Sequence, residues 1–135
     1  MLYDGRMDQH RYIDTLENYL MPTKDIFFGE EPDWMYQQDN APCHKAKSVT
    51  EWFQQNNINV LQWPARSPDL NPIENVWTVL DRKLTKEPVT SAEDLRENLK
   101  QSFDGLTVEY CRKLFDSIRR RCELCIKNKG GHIPY

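Results

Sequence analysis

The fold is decided by the stretch WMYQQDNAPCHKAKSVTEWFQQNNINVLQWPARSPDLNPIE, which runs from Trp34 to Glu74. Short apolar runs at 34–38 and 58–63 predict two strands, and an amphipathic segment from about His44 to Gln55 predicts a helix between them. A strand, a helix and a strand within about 30 residues form a βαβ unit with two parallel strands. We therefore predict an α/β fold with a βαβ core over about residues 33–63.

Helices are predicted on both sides of this core. Residues 8–21 have apolar side chains at helical spacing and are followed by a proline, which predicts a helix. Residues 23–32 are polar and contain a glycine and a proline, so they are expected to form a loop. After a proline-rich loop, a helix is predicted over about 72–84, because Asn71 can cap it and a proline suits its first position. Further helices are predicted over about 91–129.

Two carboxylates stand at the ends of the deciding stretch. Asp39 directly follows the first predicted strand, at the end where ligands bind in open α/β sheets. Glu74 lies in the first turn of the helix over 72–84, and 34 residues separate it from Asp39. Carboxylate oxygens suit Mg²⁺ or Mn²⁺. The two acids could therefore converge on a divalent metal that also holds phosphate oxygens.

Each acid also has a structural interpretation that is favoured when the residue is taken alone. Asp39 could end its strand in an Asx turn. Glu74 could close a capping box with Asn71. Between them, Asp69 is expected to bond nearby backbone in its turn rather than a metal. Only the pairing of the two acids favours a metal site.

The composition predicts an intracellular protein. With 135 residues and 39% hydrophobic content the chain can form one domain, and no run of 18 apolar residues predicts a membrane span. The opening residues lack the order of a secretory signal, so the four cysteines predict free, buried thiols in a reducing compartment. A zinc site on Cys122 and Cys125 would need ligands that lie far away in sequence. Trp52 and Trp77 are predicted to be core residues.

The charge is distributed unevenly. The net charge of −3 argues against a dedicated nucleic-acid-binding module, but residues 116–135 carry five basic and two acidic side chains, or +3, which leaves −6 elsewhere. A locally basic tail is suited to DNA phosphates, with a solvated helix face as the alternative. The predicted DNA contacts, in the stiff loop and in the tail, are Arg66, Ser67, Arg119, Arg120 and Arg121.

Two motifs carry a family resemblance. The segment 37–44, QQDNAPCH, resembles the motif around the second catalytic acid of Tc/mariner-superfamily transposases. The segment 63–77, WPARSPDLNPIENVW, resembles the motif that ends in their third acid. The spacing and the terminal Glu74 resemble the Tc branch, and the tail over 120–132 is similar to the C-terminus of that branch.

The resemblance implies a partial ribonuclease-H-like fold, in which residues 1–135 are the C-terminal part of a DDE transposase catalytic domain. It implies cut-and-paste DNA transposition, in which water opens the phosphodiester at the transposon ends and the freed 3′ hydroxyl attacks target DNA. Asp39 and Glu74 match two catalytic, metal-binding acids, with Mg²⁺ or Mn²⁺ as the cofactor. The implied partner is DNA, and the implied location is the nucleus.

The family's first acid lies on an opening strand well upstream of the second. Residues 2–7 resemble a segment beyond that strand, and Asp4 stands in a turn signature, so the first strands and the first acid are expected to be absent. We therefore expect the chain to be inert alone, and an open sheet edge favours self-association or pairing with full-length transposase. The alternative function is a non-catalytic DNA-contacting or transposase-interacting protein, inhibitory or adopted by the host.

Overall fold

The computed structural model describes residues 5–31, 33–85 and 89–134. The chain divides into two compact units, Met1–Arg66 and Ser67–Tyr135. The division falls inside the proline-rich loop, so the two acidic positions of the sequence motifs belong to different units. Asp4 lies outside the described residues.

The first unit opens with one continuous helical run. It consists of α1 (Gln9–Thr15), a π turn (Leu16–Leu20) and α2 (Met21–Phe27). Asp8 caps α1 by accepting hydrogen bonds from the backbone N–H groups of His10 and Arg11, both at 2.9 Å. The loop predicted over 23–32 is therefore wrong for its first half. Pro22 lies in the first turn of α2, just after the wide π turn, where its missing N–H interrupts little.

Helix α3 (Lys47–Gln55) packs on α1 and completes a small core. It begins later than predicted because the backbone N–H groups of His44 and Lys45 both bond the Ala41 carbonyl in a separate turn. Trp52 is buried as predicted, and its indole N–H donates to Glu17 Oε1 at 3.0 Å. The buried side chains of this core are Tyr12, Leu16, Val49, Trp52, Phe53 and Ile58.

The two predicted strands are reduced to a single contact. In the described part of the chain, Tyr36 and Val60 form an isolated parallel bridge, with hydrogen bonds of 2.8 Å from Tyr36 N–H to the Asn59 carbonyl and from Leu61 N–H to the Tyr36 carbonyl. The parallel direction agrees with a βαβ crossover. The extended strands predicted over 34–38 and 58–63 are not formed, because two short segments without further strands are only marginally stable as a sheet.

The second unit is helical. It contains a 3₁₀ turn (Pro68–Leu70), α4 (Ile73–Leu84), α5 (Ala92–Asp104) and α6 (Val108–Lys127). The hydroxyl of Ser91 accepts from Asp94 N–H at 3.0 Å and that of Thr107 from Tyr110 N–H at 3.1 Å, so both long C-terminal helices have side-chain caps. Helix α4 packs on α5, and α6 contacts the 3₁₀ turn.

Several predicted core residues of the second unit lie at the surface instead. Trp77 is 50% exposed, because α4 buries Val76 and Leu80 on an adjoining face. Cys111 and Cys122 are exposed rather than buried, since the buried side chain of α6 is Arg121. None of the helices seen in the described ranges has both the length and the hydropathy to cross a membrane.

Candidate functional site

Asp39 is an exposed carboxylate with one oxygen held by its own turn. Oδ1 accepts from the Ala41 backbone N–H at 2.9 Å and from His44 Nδ1 at 2.6 Å. The first bond confirms the Asx turn. No hydrogen bond to Oδ2 is found within the described residues, so the turn orients the carboxylate and leaves its second oxygen available.

His44 is held in place by an aromatic ring and by a side-chain amide. It stacks on Tyr12 with ring centroids 4.0 Å apart. The Tyr12 hydroxyl donates to Gln38 Oε1 at 2.6 Å, and Gln38 Nε2 donates to the His44 carbonyl at 3.4 Å. Burial, reinforced by a hydrogen bond with Tyr36, raises the pKa of Tyr12, which therefore remains a donor. This support for Asp39 was missed in the sequence, although His44 closes the QQDNAPCH motif.

Asp39 stands at the rim of a cleft of about 390 Å³ within the first unit. The lining includes the apolar side chains of Phe53 and Ile58 and the cation of Lys45. Asn40 links the segment after Tyr36 to the segment after Val60, because its Nδ2 donates to the Trp63 carbonyl at 2.9 Å. The cleft therefore combines a carboxylate, a cation and amide groups around one opening.

Glu74 lies in the first turn of α4, in the second unit, and is partly buried. The Asn71 side chain accepts from Ile73 N–H at 3.3 Å, while Glu74 N–H bonds the Asn71 carbonyl at 3.2 Å. Its carboxylate makes no hydrogen bond or ion pair that the structure records in the described ranges. The capping-box interpretation is therefore wrong, and both carboxylate oxygens are available next to the positive end of a helix dipole.

Arg121 fixes the backbone around Glu74 from inside the unit. It is only 6% exposed, and its guanidinium donates to the Asp69 carbonyl at 2.9 Å and to Asn75 Oδ1 at 2.7 Å. Its Nε donates to Ser117 Oγ at 2.9 Å. The prediction that Arg121 contacts DNA is therefore corrected. This side chain joins α6 to the proline-rich loop and to the first turn of α4.

Asp69 has a structural role, but its partner is one that the sequence did not indicate. Its side chain is buried, and Oδ2 accepts from the Ile133 backbone N–H at 3.0 Å, with His132 Nδ1 at 3.5 Å. The prediction of a bond to nearby backbone is wrong, because the donor lies 64 residues away. The C-terminal tail thus closes over the loop that leads to Glu74.

The remaining candidates lie at the surface or near it. Arg66 is exposed in a left-handed conformation with φ 55°, and Ser67 is partly buried at the start of the 3₁₀ turn. Arg119 is exposed and pairs with Glu123 at 3.1 Å, and Arg120 is exposed. In the ranges that the structure describes, no three His, Cys, Asp or Glu side chains are grouped closely enough to hold a metal.

Comparison with known proteins identifies relatives along nearly the whole chain. Residues 1–96 match the family described as DDE superfamily endonuclease. The transposable element Tcb1 transposase of Caenorhabditis briggsae is 36% identical over 131 residues, which cover 97% of this chain and 47% of that protein. The chain spans about half the length of the transposases it matches.

Solved structures show the fold. The crystal structure of the catalytic domain of Mos1 mariner transposase superposes with a TM-score of 0.85 at 23% identity, over 98% of this chain and 68% of that one. The same domain with Raltegravir and Mn superposes with a TM-score of 0.84 at 22% identity, over 96% of this chain and 67% of that one. The fold is therefore the ribonuclease-H-like fold of that domain, and the chain belongs to the DDE superfamily endonuclease family.

Proposed function

We propose that the chain acts as part of a transposase catalytic domain, in metal-dependent DNA cleavage and strand transfer during cut-and-paste transposition. The observation that carries the proposal is that Asp39 and Glu74 both fall within the segment matched to the endonuclease family, and each keeps carboxylate oxygens without a protein partner in the described ranges. A nuclear location follows from the same proposal, because the substrate is chromosomal DNA.

The donor set fits a hard divalent cation. The Mos1 catalytic domain has been solved with Mn and with Mg. Each unit offers one such ligand, Asp39 Oδ2 in the first and the two oxygens of Glu74 in the second, and Mg²⁺ and Mn²⁺ prefer carboxylate oxygens. Such ions, when bound, activate the attacking oxygen and stabilise the leaving oxygen of a phosphodiester.

The protein's own residues would orient these acids. His44, fixed on Tyr12, keeps Asp39 from rotating away, and a preoriented ligand costs less entropy on binding. Arg121 does the same for the first turn of α4. Arg66 and Arg120 are the exposed cations that we assign to DNA phosphates, whereas Arg119 is engaged by Glu123.

We also propose that these 135 residues are inactive by themselves. The family uses three acids, and two supply an incomplete set of metal ligands. Phosphoryl transfer depends on positioning and charge stabilisation, so a missing ligand removes most of the activity.

A chimaera tests the function directly. The part of the Tcb1 transposase that precedes the matched region would be joined ahead of Met1, and the product incubated with Mn²⁺ and DNA that carries transposon ends. We expect cleavage that Asp39→Asn and Glu74→Gln each reduce to background. The matched control Asp81→Asn, an exposed acid on α4, should retain cleavage.

Retention of cleavage in both acid variants would contradict the assignment of these residues. A chimaera that binds the ends but never cleaves them would favour the non-catalytic, DNA-contacting or transposase-interacting role. For the 135-residue chain alone we expect no cleavage. Mn²⁺-dependent cleavage by that chain, abolished by Asp39→Ala, would overturn the proposed inactivity.

A further inference from the structure

Helix α6 carries an apolar stripe that faces away from the second unit. Val108, Phe115 and Ile126 are 77%, 72% and 78% exposed, and Cys111 and Cys122 are exposed between them. At about 100° per residue, these five positions fall within about 60° of arc. We call them the α6 stripe. No other described element covers the stripe, and exposed apolar side chains aligned on one helix face are typical of an interface.

The charges beside the α6 stripe are ordered. Arg112, Asp116, Arg119 and Glu123 run along one edge of it, at spacings of four, three and four residues. Their signs alternate from positive to negative along the helix. From the C-terminal end of the helix, the same edge begins with a negative charge. Two copies of the edge that run in opposite directions therefore place opposite charges beside each other.

We infer that the α6 stripe binds the α6 stripe of a second copy of this chain, with the two helices antiparallel. A two-fold axis makes the same surface of both copies meet. If the axis passes between Ser117 and Ile118, Arg112 lies opposite Glu123 and Asp116 opposite Arg119. Symmetry makes each of these pairs twice, and the Arg119–Glu123 pair within each helix, at 3.1 Å, would belong to the same network of charges.

The apolar residues of the α6 stripe also meet each other in this antiparallel arrangement. Reversal about this axis brings Val108 near Ile126 and Cys111 near Cys122, and it places Phe115 close to the centre. Aromatic residues at the centre of an interface contribute a large share of the binding energy. Apolar packing and charge pairing therefore select one arrangement.

Other occupants fit this surface less well. In a parallel pair this edge would face the opposite edge of the partner's stripe, where Leu114, Ile118 and Cys125 carry no charge, so its four charges would gain no pairing. A DNA backbone would meet an edge with two positive and two negative groups and an apolar strip beside it, and so would gain little. The inference does not rest on the proposed transposase function, since it concerns a surface separate from Asp39 and Glu74.

Charge exchange in the intact 135-residue chain tests the register. Asp116→Arg sets two arginines opposite each other, and Arg119→Asp sets two aspartates opposite each other. We expect each variant to raise the dimer dissociation constant in sedimentation equilibrium by about tenfold or more, and the double variant to restore it. The control Lys113→Asp, which changes a charge away from the stripe, should leave it unchanged.

Chemical cross-linking tests the direction of the helices. A bis-maleimide with a spacer much shorter than the about 16 Å between Cys111 and Cys122 on one helix can join them only between copies. With a mixture of ¹⁵N-labelled and unlabelled chains, peptide mapping should find Cys111 joined to Cys122 of the other isotope. Phe115→Asp should abolish both the cross-link and the dimer while circular dichroism stays unchanged.

Three results would overturn the inference. They are a chain that stays monomeric at the highest soluble concentration, a dimer that is insensitive to the charge variants and to Phe115→Asp, and cross-links that join Cys111 to Cys111 and Cys122 to Cys122. The second result would locate self-association at another surface, such as a sheet edge.

Discussion

Arg121 donates hydrogen bonds inside the second unit to Ser117, to the Asp69 carbonyl and to Asn75. Arg121→Met keeps much of the side-chain volume but leaves these buried acceptors without their donor. We expect the free energy of unfolding to fall by about 2–4 kcal/mol, measured by urea denaturation. Arg120→Met is the matched control, since its guanidinium is exposed and the change should stay within about 0.5 kcal/mol. Equal losses in the two variants would contradict the structural role of Arg121.

At the scale of an element, the start of α5 depends on an ionised side chain. Hydrogen bonds from the hydroxyls of Thr90 and Ser91 hold the pKa of Asp94 below its usual value of 3.8. Because the folded pKa is the lower one, Asp94 stabilises the folded state above the unfolded pKa, and this contribution is lost as the pH falls through the folded pKa.

Asp94→Asn should therefore lower stability at neutral pH and flatten the dependence of the urea midpoint on pH as the pH falls below about 4. Glu93→Gln, on the same helical turn, is the control and should keep the slope of the wild-type chain. An unchanged slope in Asp94→Asn would show that the capping network does not titrate with this carboxyl group.

At the scale of the whole molecule, the chain has two units with separate buried side chains. Val49 is 0% exposed in the first unit and Leu80 is 2% exposed in the second. We expect Leu80→Ala to cost about 3 kcal/mol and Val49→Ala about 2 kcal/mol. Hydrogen exchange followed by mass spectrometry should show faster exchange mainly in the unit that carries the substitution. Faster exchange throughout the chain in both variants would mean that the units unfold together.

Much of the candidate site could be predicted from short sequence patterns. Asp39, Glu74 and the family resemblance come from contiguous motifs. The Asx turn at Asp39 was also foreseen, because it involves only neighbouring residues. The continuation of the first helix through Pro22 was not foreseen, because no residue pattern indicates the π turn that precedes it.

The family resemblance, most of the helices and the two acids follow from spacing within short segments of the sequence. That Arg121 and Asp69 are internal follows only from the tertiary structure, since their partners lie as far as 52 and 64 residues away. The same holds for the α6 stripe. Helical periodicity shows that a face is apolar, but whether that face is buried depends on which elements pack against it.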